Sequence, residues 1–366
     1  MDYDVIVVGA GPSGSMAAKR CVEQGLRTLL LEKRRLPRDK VCSGMVMGPV
    51  AHGLIKEEFG DLPDVVLTQP SHLSGYFLHV PGIGSEKVDH FTRLTWRRNL
   101  DYWMVQRART CGVEVWEGAS AVNIIKKKEG LSIAVKRDEK EQELLAKYVV
   151  GADGGNSVTR KLLFPDLEVR YAQVYQEHYR GELDLDKSYF HWFYPPEISP
   201  EFFDVHQKDG LIIMDVGGRI GKMDERLART KRYLSENCRF DSSQEPVWTG
   251  GCIQPVIYPE LASHTFKPAL GNALLVGDAA GLVMPVSGEG IGTGLKSGLL
   301  AAKAIQRAIE SGEPAESIYL SEIEGILSMF GEVYPCFRRM TEEAKKGGHA
   351  VPKILQDAFV RTLRPF

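Results

Sequence analysis

The chain of 366 residues has no long apolar run. None approaches the about 18 consecutive apolar residues that span a bilayer, which excludes a transmembrane helix. The N-terminus enters a strand by Tyr3, which excludes a signal peptide. The expectation is a cytoplasmic protein, with any membrane contact confined to its periphery. The formal net charge is only −2, so no nucleic-acid partner is indicated. Lys33-Arg34-Arg35 and Lys126-Lys127-Lys128 read as a solvated loop and a hairpin tip. The six cysteines form no Cys-x-x-Cys pair, which suits free thiols in a reducing compartment. No His, Cys and carboxylate set has ligand spacing, so no metal is expected. Repeats and low-complexity segments are absent. The chain is long for a single core, so two closely joined domains are expected.

What is present begins with Val5-Ile6-Val7-Val8, a continuous apolar run of the kind buried on both faces of a parallel sheet. Gly9-Ala10-Gly11-Pro12-Ser13-Gly14 follows. Gly9 makes the tight turn, Gly11 lets a pyrophosphate approach the backbone, and Gly14 lets the next helix pack closely. That helix, over 13–24, aims its N-terminal N–H groups at the phosphates. Leu29-Leu30-Leu31-Glu32 closes the unit, with Glu32 near the ~20-residue spacing of a ribose-binding carboxylate. The acid favours a free 2′-hydroxyl and does not separate NAD from FAD.

A second stretch separates them. Ala273-Leu274-Leu275-Val276 reads as another buried strand, and Gly277-Asp278 puts a carboxylate at its end. Pro285 follows, and Gly288, Gly290, Gly292 and Gly294, with Glu289 and Ile291 between them, then open a helix running from residue 288 to Ile309. Such a helix N-terminus suits negative charge on a reduced flavin. The pair of stretches points to FAD, held non-covalently, and so to an oxidoreductase.

On these residues the chain resembles the FAD-dependent oxidoreductases of the glutathione-reductase-fold superfamily, in the branch with p-hydroxybenzoate hydroxylase, flavin halogenases and geranylgeranyl reductases. Gly151-Ala152-Asp153-Gly154-Gly155-Asn156-Ser157-Val158-Thr159-Arg160 resembles the branch's segment beside the flavin pyrophosphate. Arg97-Arg98-Asn99-Leu100-Asp101 resembles its Arg-x-x-Phe/Leu-Asp helix start. Two further segments resemble the geranylgeranyl reductase family. Pro37-Arg38-Asp39-Lys40-Val41-Cys42-Ser43-Gly44 is similar to its Pro…Lys-x-Cys-Gly-Gly loop near the isoalloxazine, with Ser43 in place of a glycine. Phe190-His191-Trp192-Phe193-Tyr194-Pro195 is similar to its aromatic segment in the substrate cavity. The resemblance implies cofactor contacts from Gly9, Gly11, Pro12, Ser13, Gly14, Glu32, Lys33, Lys40, Cys42, Ser43, Gly44 and Arg97. It implies more from Asp153, Gly154, Gly277, Asp278, Pro285, Gly288, Gly290 and Ile291. It implies substrate contacts from Phe190, His191, Trp192 and Tyr194.

The implied fold is α/β: a Rossmann-type FAD-binding domain, an inserted sheet-based substrate (cap) domain, and a helical C-terminal tail. The FAD-binding domain takes residues 1–70, 94–165 and 267–315, the cap takes 71–93 and 166–266, and the tail is 316–366. Within these, 71–93 reads as short strands, 94–111 as a helix, and the cap as strands around one helix over 222–238. Phe202 and Phe203 read as fillers of the cap core. The stripe Met329-Phe330…Val333-Tyr334…Phe337 reads as a core face.

The implied reaction is reduction of C=C bonds in a prenyl or other hydrophobic chain by hydride from reduced FAD. The electron donor is left open among NAD(P)H, ferredoxin and a separate reductase. A proton is also needed, and no unmistakable acid stands out. Cys42 is the best candidate for a direct role at the flavin ring, with His191 and Tyr194 behind it, while Asp278 and Glu289 suit cofactor and loop contacts. Two alternatives stand beside this reading: an oxygen-using aromatic monooxygenase or halogenase, and a non-catalytic carrier of a prenyl group or partner.

Overall fold

The computed structural model describes residues 1–195, 202–346 and 348–364. In chain order, β1 (Tyr3–Val8), α1 (Pro12–Glu23) and β2 (Thr28–Glu32) come first, then β3 (Met45–Met47) and α2 (Val50–Phe59). The hairpin β4 (Leu67–Val80) and β5 (Gly84–Thr95) leads into α3 (Arg97–Thr110). Next are β6 (Glu114–Glu117), β7 (Ala119–Lys126), β8 (Leu131–Arg137), β9 (Lys140–Gly151) and α4 (Val158–Leu163). The middle of the chain forms β10 (Arg170–Arg180), β11 (Tyr189–Phe193), β12 (Phe202–Lys208) and β13 (Leu211–Arg219). It continues through α5 (Met223–Cys238), β14 (Trp248–Val256) and α6 (Tyr258–Ala262). The chain ends with β15 (Ala269–Leu270), β16 (Ala273–Leu275), α7 (Ile291–Ser311), α8 (Ala315–Glu322), α9 (Glu324–Lys345) and α10 (Val351–Thr362).

These strands form two sheets. The first runs β15-β16-β9-β1-β2-β6, with β7 and β8 continuing from the N-terminal half of β9. Its centre is parallel, β1 pairing with β2 and β9. The apolar run Val5–Val8 is buried because helices cover one face and the β7–β8 hairpin covers the other. The second sheet runs β14-β10-β13-β12-β11-β4-β5-β3 and is antiparallel except at β11–β4. Side chains alternate across it, so one strand feeds two cores. Phe193, Phe203 and Val205 pack under α5, which buries Thr230, Leu234 and Cys238 at helical spacing. Tyr76, Leu78, Phe190 and Trp192 lie on the other face with Met340, Val351, Leu355 and Phe359 of the C-terminal helices. Met329, Phe330 and Val333 enter the core of the first sheet, as the stripe predicts.

Several expectations are corrected. Residues 71–93 are not several short strands but the long hairpin β4–β5. The helix expected from residue 94 begins at Arg97, because Leu94 is still in the sheet opposite Met45. β3 and α2 carry no expectation, and β3 joins the second sheet although it lies within 1–70. The stretch 166–266 holds a second, short helix, α6.

Candidate functional site

The Gly-rich turn joins β1 to α1. Gly9 has φ 105°, and a Cβ there would lie 2.4 Å from the Ala152 carbonyl oxygen. A Cβ on Gly14 would lie 1.8 Å from the Gly9 oxygen. Both must be glycine for steric reasons. Gly11 differs: the nearest atom to a Cβ there is Nη2 of Arg97, 3.9 Å away. The backbone at Gly11 therefore faces open space with a guanidinium on its far side. α1 starts at Pro12 with no side-chain cap, so its first N–H groups are left for a ligand. The open backbone and the guanidinium suit a diphosphate in sign.

Buried charges frame it. Glu32 accepts from Ala10 N at 3.2 Å and from Arg34 N at 3.0 Å. Arg38 bridges Glu32, at 3.1 Å, to Asp101, at 2.9 Å. Arg97 donates to both oxygens of Asp101, at 2.8 and 3.0 Å. Burial works to lower the Arg97 pKa, but Asp101 and the neighbouring Cys42 outweigh it and raise the value. Burial works to raise Asp101, and the Arg97 and Arg38 charges bring it below the usual carboxylate range. Lys33 stands exposed beside Glu32.

The Asp153 segment and the Asp278 segment are tied together. Asp153 accepts from the Ser157 hydroxyl at 2.5 Å and from Thr159 N at 3.0 Å. Its carboxylate is thus engaged in shaping the loop of Gly154, which has φ 81°. Arg160, almost fully buried, donates to the oxygens of Gly155 and Ala279 at 2.7 and 2.8 Å. Arg160 thereby locks the two segments together, a role its place at the end of the Gly151–Arg160 segment does not show by itself. Gly277 N donates to the Ser297 hydroxyl at 3.0 Å. Gly298 allows α7 to cross α1, since a Cβ there would lie 2.3 Å from the Ser13 oxygen. Lys40 lies 3.6 Å from Asp278, and a Cβ on Gly290 would lie 3.4 Å from the same carboxylate. α7 starts at Ile291, not at residue 288. Gly288 has φ 63°, and the Glu289 carboxylate caps the helix through Gly292 N and Thr293 N. Pro285 lies in the buried loop before it.

The Cys42 loop joins this frame to the second sheet. Gly44 has φ 76°, and a Cβ there would lie 2.0 Å from the Thr95 oxygen, so no other residue fits. Lys208 of β12 donates to the oxygens of Ser43 and Thr95 at 2.6 and 3.0 Å. Burial brings its pKa down to about 8. Cys42 is half-buried between Arg97, Lys208 and Asp204.

The aromatic segment divides by alternation. Phe190, Trp192 and Tyr194 share one face. Trp192 stacks on Tyr194 at 6.0 Å and meets Phe202 at 5.2 Å. The Tyr194 hydroxyl donates to the Val286 oxygen at 2.8 Å, and Trp192 lies 3.8 Å from a Cβ position on Gly288. The segment therefore meets the Gly288 loop directly. Phe190 is fully buried between Tyr76 and His206, a packing residue more than a lining one. His191 is a correction. It points to the opposite face, where its ring bonds His79 at 3.0 Å and stacks on Phe77. Phe202 is another: it lies with Trp192, whereas Phe203 fills the α5 core as expected.

One group was missed altogether. Asp204, His206 and Asp215 come from adjacent strands, with polar atoms within 4.8 Å of one another. The only sequence signal was polar alternation in Asp204-Val205-His206-Gln207-Lys208, which normally marks a solvated face.

This frame matches known proteins. The family model described as FAD dependent oxidoreductase matches residues 4–159. A digeranylgeranylglycerophospholipid reductase of Thermoplasma volcanium is 29% identical over 85% of this chain and 80% of its own. A geranylgeranyl diphosphate reductase of Rhodobacter capsulatus is 29% identical over 94% and 84%. Among solved structures, a geranylgeranyl bacteriochlorophyll reductase-like protein of Thermoplasma acidophilum superposes with TM-score 0.79 at 20% identity, covering 98% and 91% of the two chains. A flavin-dependent brominase superposes with TM-score 0.74 at 16% identity, covering 100% and 96%. The chain is an FAD-dependent oxidoreductase, with FAD as its cofactor. Within that class it is similar to the geranylgeranyl reductases over most of its length.

Proposed function

We propose that the protein reduces carbon–carbon double bonds of a prenyl or similar hydrophobic chain. The observation that carries this reading is the contact between the aromatic segment and the cofactor frame. Trp192, Tyr194 and Phe202 form an apolar surface against the Gly288 loop. Both curated relatives are named as reductases of geranylgeranyl compounds, which supports an isoprenoid substrate. The second sheet with α5 serves as the substrate domain in this reading, and the first sheet with its helices holds the cofactor.

The Gly11 backbone, the α1 N-terminus and Arg97 hold the diphosphate of FAD. Glu32 keeps acceptor capacity for ribose hydroxyls. Asp278, Gly290 and Ile291 would hold the ribityl chain and ring, and Cys42 would lie beside the ring. FAD bound here, once reduced, supplies hydride. The aromatic surface orients the chain, and its burial excludes water from the reacting carbons. NAD(P)H, ferredoxin or a separate reductase supplies the electrons; the true donor is the one that bleaches the flavin anaerobically. No helix among the described residues is long and apolar enough to cross a membrane.

The test is anaerobic. Dithionite-reduced protein is mixed with a geranylgeranyl lipid and the oxidised flavin band is followed. Reoxidation without oxygen, with two hydrogens gained by the lipid, is the expected result. Reoxidation only after oxygen is admitted, through a hydroperoxide intermediate, overturns it in favour of a monooxygenase or halogenase. Failure to bind FAD at all leaves the carrier reading.

A further inference from the structure

The middle of the second sheet carries a buried polar group that neither the cofactor frame nor the aromatic surface uses. Asp204 on β12 is paired with Asp215 on β13, and Asp204 is also paired with Trp192 on β11. The two carboxyls are 3% and 5% exposed. Gln176 on β10 donates to both oxygens of Asp215, at 2.8 and 3.1 Å. Two carboxylates side by side repel, and a hydrogen bond between carboxyls requires a proton on one of them. The Gln176 bonds mark Asp215 as the ionised member, so the proton belongs to Asp204. Burial first, then the Asp215 charge and their mutual hydrogen bond, hold Asp204 well above the usual carboxyl range. Burial also raises Asp215, to about 6.

Four polar atoms around this pair have no hydrogen-bond partner although they are buried: Oδ1 of Asp204, Nε1 of Trp192, and both ring nitrogens of His206, a residue 1% exposed. They adjoin Cys42 and the aromatic surface, the place the proposed reaction needs its acid. Lys208, a buried cation on the same strand face, disfavours a metal ion between the carboxyls. The groups facing the pair are His206, Lys208, Tyr194, Cys42 and Cys252, and His178 joins them through the Gln176 side chain.

We propose that Asp204 and Asp215 are a one-proton store, and that Asp204 is the general acid that protonates the substrate alkene. This rests on the alkene-reductase reading. The π pair of the C=C bond takes the Asp204 proton at one carbon while hydride bonds the other. The two electrons come with the hydride, so a two-electron-reduced flavin is the required reductant. Asp204 is left as a carboxylate and regains its proton from water between turnovers.

The experiment uses two readouts. Carboxyl NMR on FAD-free protein labelled with ¹³C-aspartate is expected to show one acid still protonated at pH 7, absent in Asp204→Asn. In Asp215→Asn the same signal is expected to titrate at least one pH unit lower. In single turnover, Asp204→Asn is expected to slow alkene-driven flavin reoxidation at least about 100-fold, with FAD affinity and dithionite reduction within about twofold. Asp204→Glu is expected to recover part of the rate. The proposal is overturned if no carboxyl remains protonated at pH 7, if Asp204→Asn turns over within threefold of the wild type, or if a stoichiometric divalent ion copurifies and its removal shifts the signals. If no prenyl lipid reoxidises the wild-type flavin, the substrate reading fails, and the proton store stands or falls on the NMR signal.

Discussion

The buried carboxylates of the two sheets are held in opposite ways. Around the Gly9–Gly14 turn, Glu32, Asp101 and Asp153 each accept at least three hydrogen bonds or ion pairs. In the middle of the second sheet, Asp204, His206 and Trp192 keep buried polar atoms without a partner. A saturated network rigidifies, whereas a partly satisfied one has a stake in what binds it. In the proposed reading the first sheet is the frame that holds the cofactor, and the polar atoms of the second sheet face the substrate.

The comparison breaks most severely at the frame. Gly14→Ala places a methyl 1.8 Å from the Gly9 oxygen, a backbone atom that cannot turn aside. The expected result is loss of FAD binding, with destabilisation at or beyond the roughly 1–3 kcal/mol of ordinary overpacking. Flavin absorbance of the purified variant and its urea midpoint check it. Asp101→Asn breaks the same frame through its charges, and its urea midpoint checks the size of the loss. It strips Arg97 and Arg38 of a shared buried carboxylate, and breaking a buried pair from one side costs about 3–5 kcal/mol.

Asp101 and Asp215 respond to pH with opposite sign. Burial opposes the Asp101 charge, yet Arg97 and Arg38 lower its pKa on folding. Its contribution is therefore present above the ordinary carboxyl value and lost as pH falls through the lowered one. Asp215, raised by burial to about 6, does the reverse. Between about 4 and about 6 the native state holds more protons than the unfolded one, so stability falls as pH rises across that window. Urea midpoints across this range are expected to show the limb in the wild type and a flatter one in Asp215→Asn. An unchanged limb means that Asp215 titrates no differently folded than unfolded and that Asp204, also raised by burial, carries the limb alone.

The same contrast decides what the sequence could tell. The frame was legible because its constraints are local: Gly9, Gly11 and Gly14 stand within one turn, and Glu32 lies one helix away. Gly277, Asp278 and Gly290 likewise adjoin one strand and one helix. Asp204 and Asp215 were not legible, since their meeting depends on the β12–β13 register and on the C-terminal helices turning a seemingly solvated face into an interior. β3 escaped notice because Met45-Val46-Met47 is three residues long between glycines. Phe202 and Phe203 looked alike as neighbours, and only the pleat sends them to different cores.

His191 tests this reading of the pleat at the smallest expected effect. By resemblance it stood with Trp192 in the substrate segment, but alternation puts it behind the sheet. There it bonds His79 at 3.0 Å and the Asp186 oxygen at 3.0 Å. Burial lowers the pKa of both imidazoles, so they share one hydrogen bond as neutral rings. His191→Ala leaves His79 without its partner and costs roughly 1–3 kcal/mol, readable in a urea midpoint. Single-turnover reoxidation by the prenyl lipid is expected to stay within about twofold, while Trp192→Ala, one residue on, weakens substrate saturation by about tenfold or more, as losing roughly 1.4 kcal/mol or more of apolar contact implies. Equal effects of the two substitutions on turnover would place His191 at the substrate after all and remove the distinction between the faces.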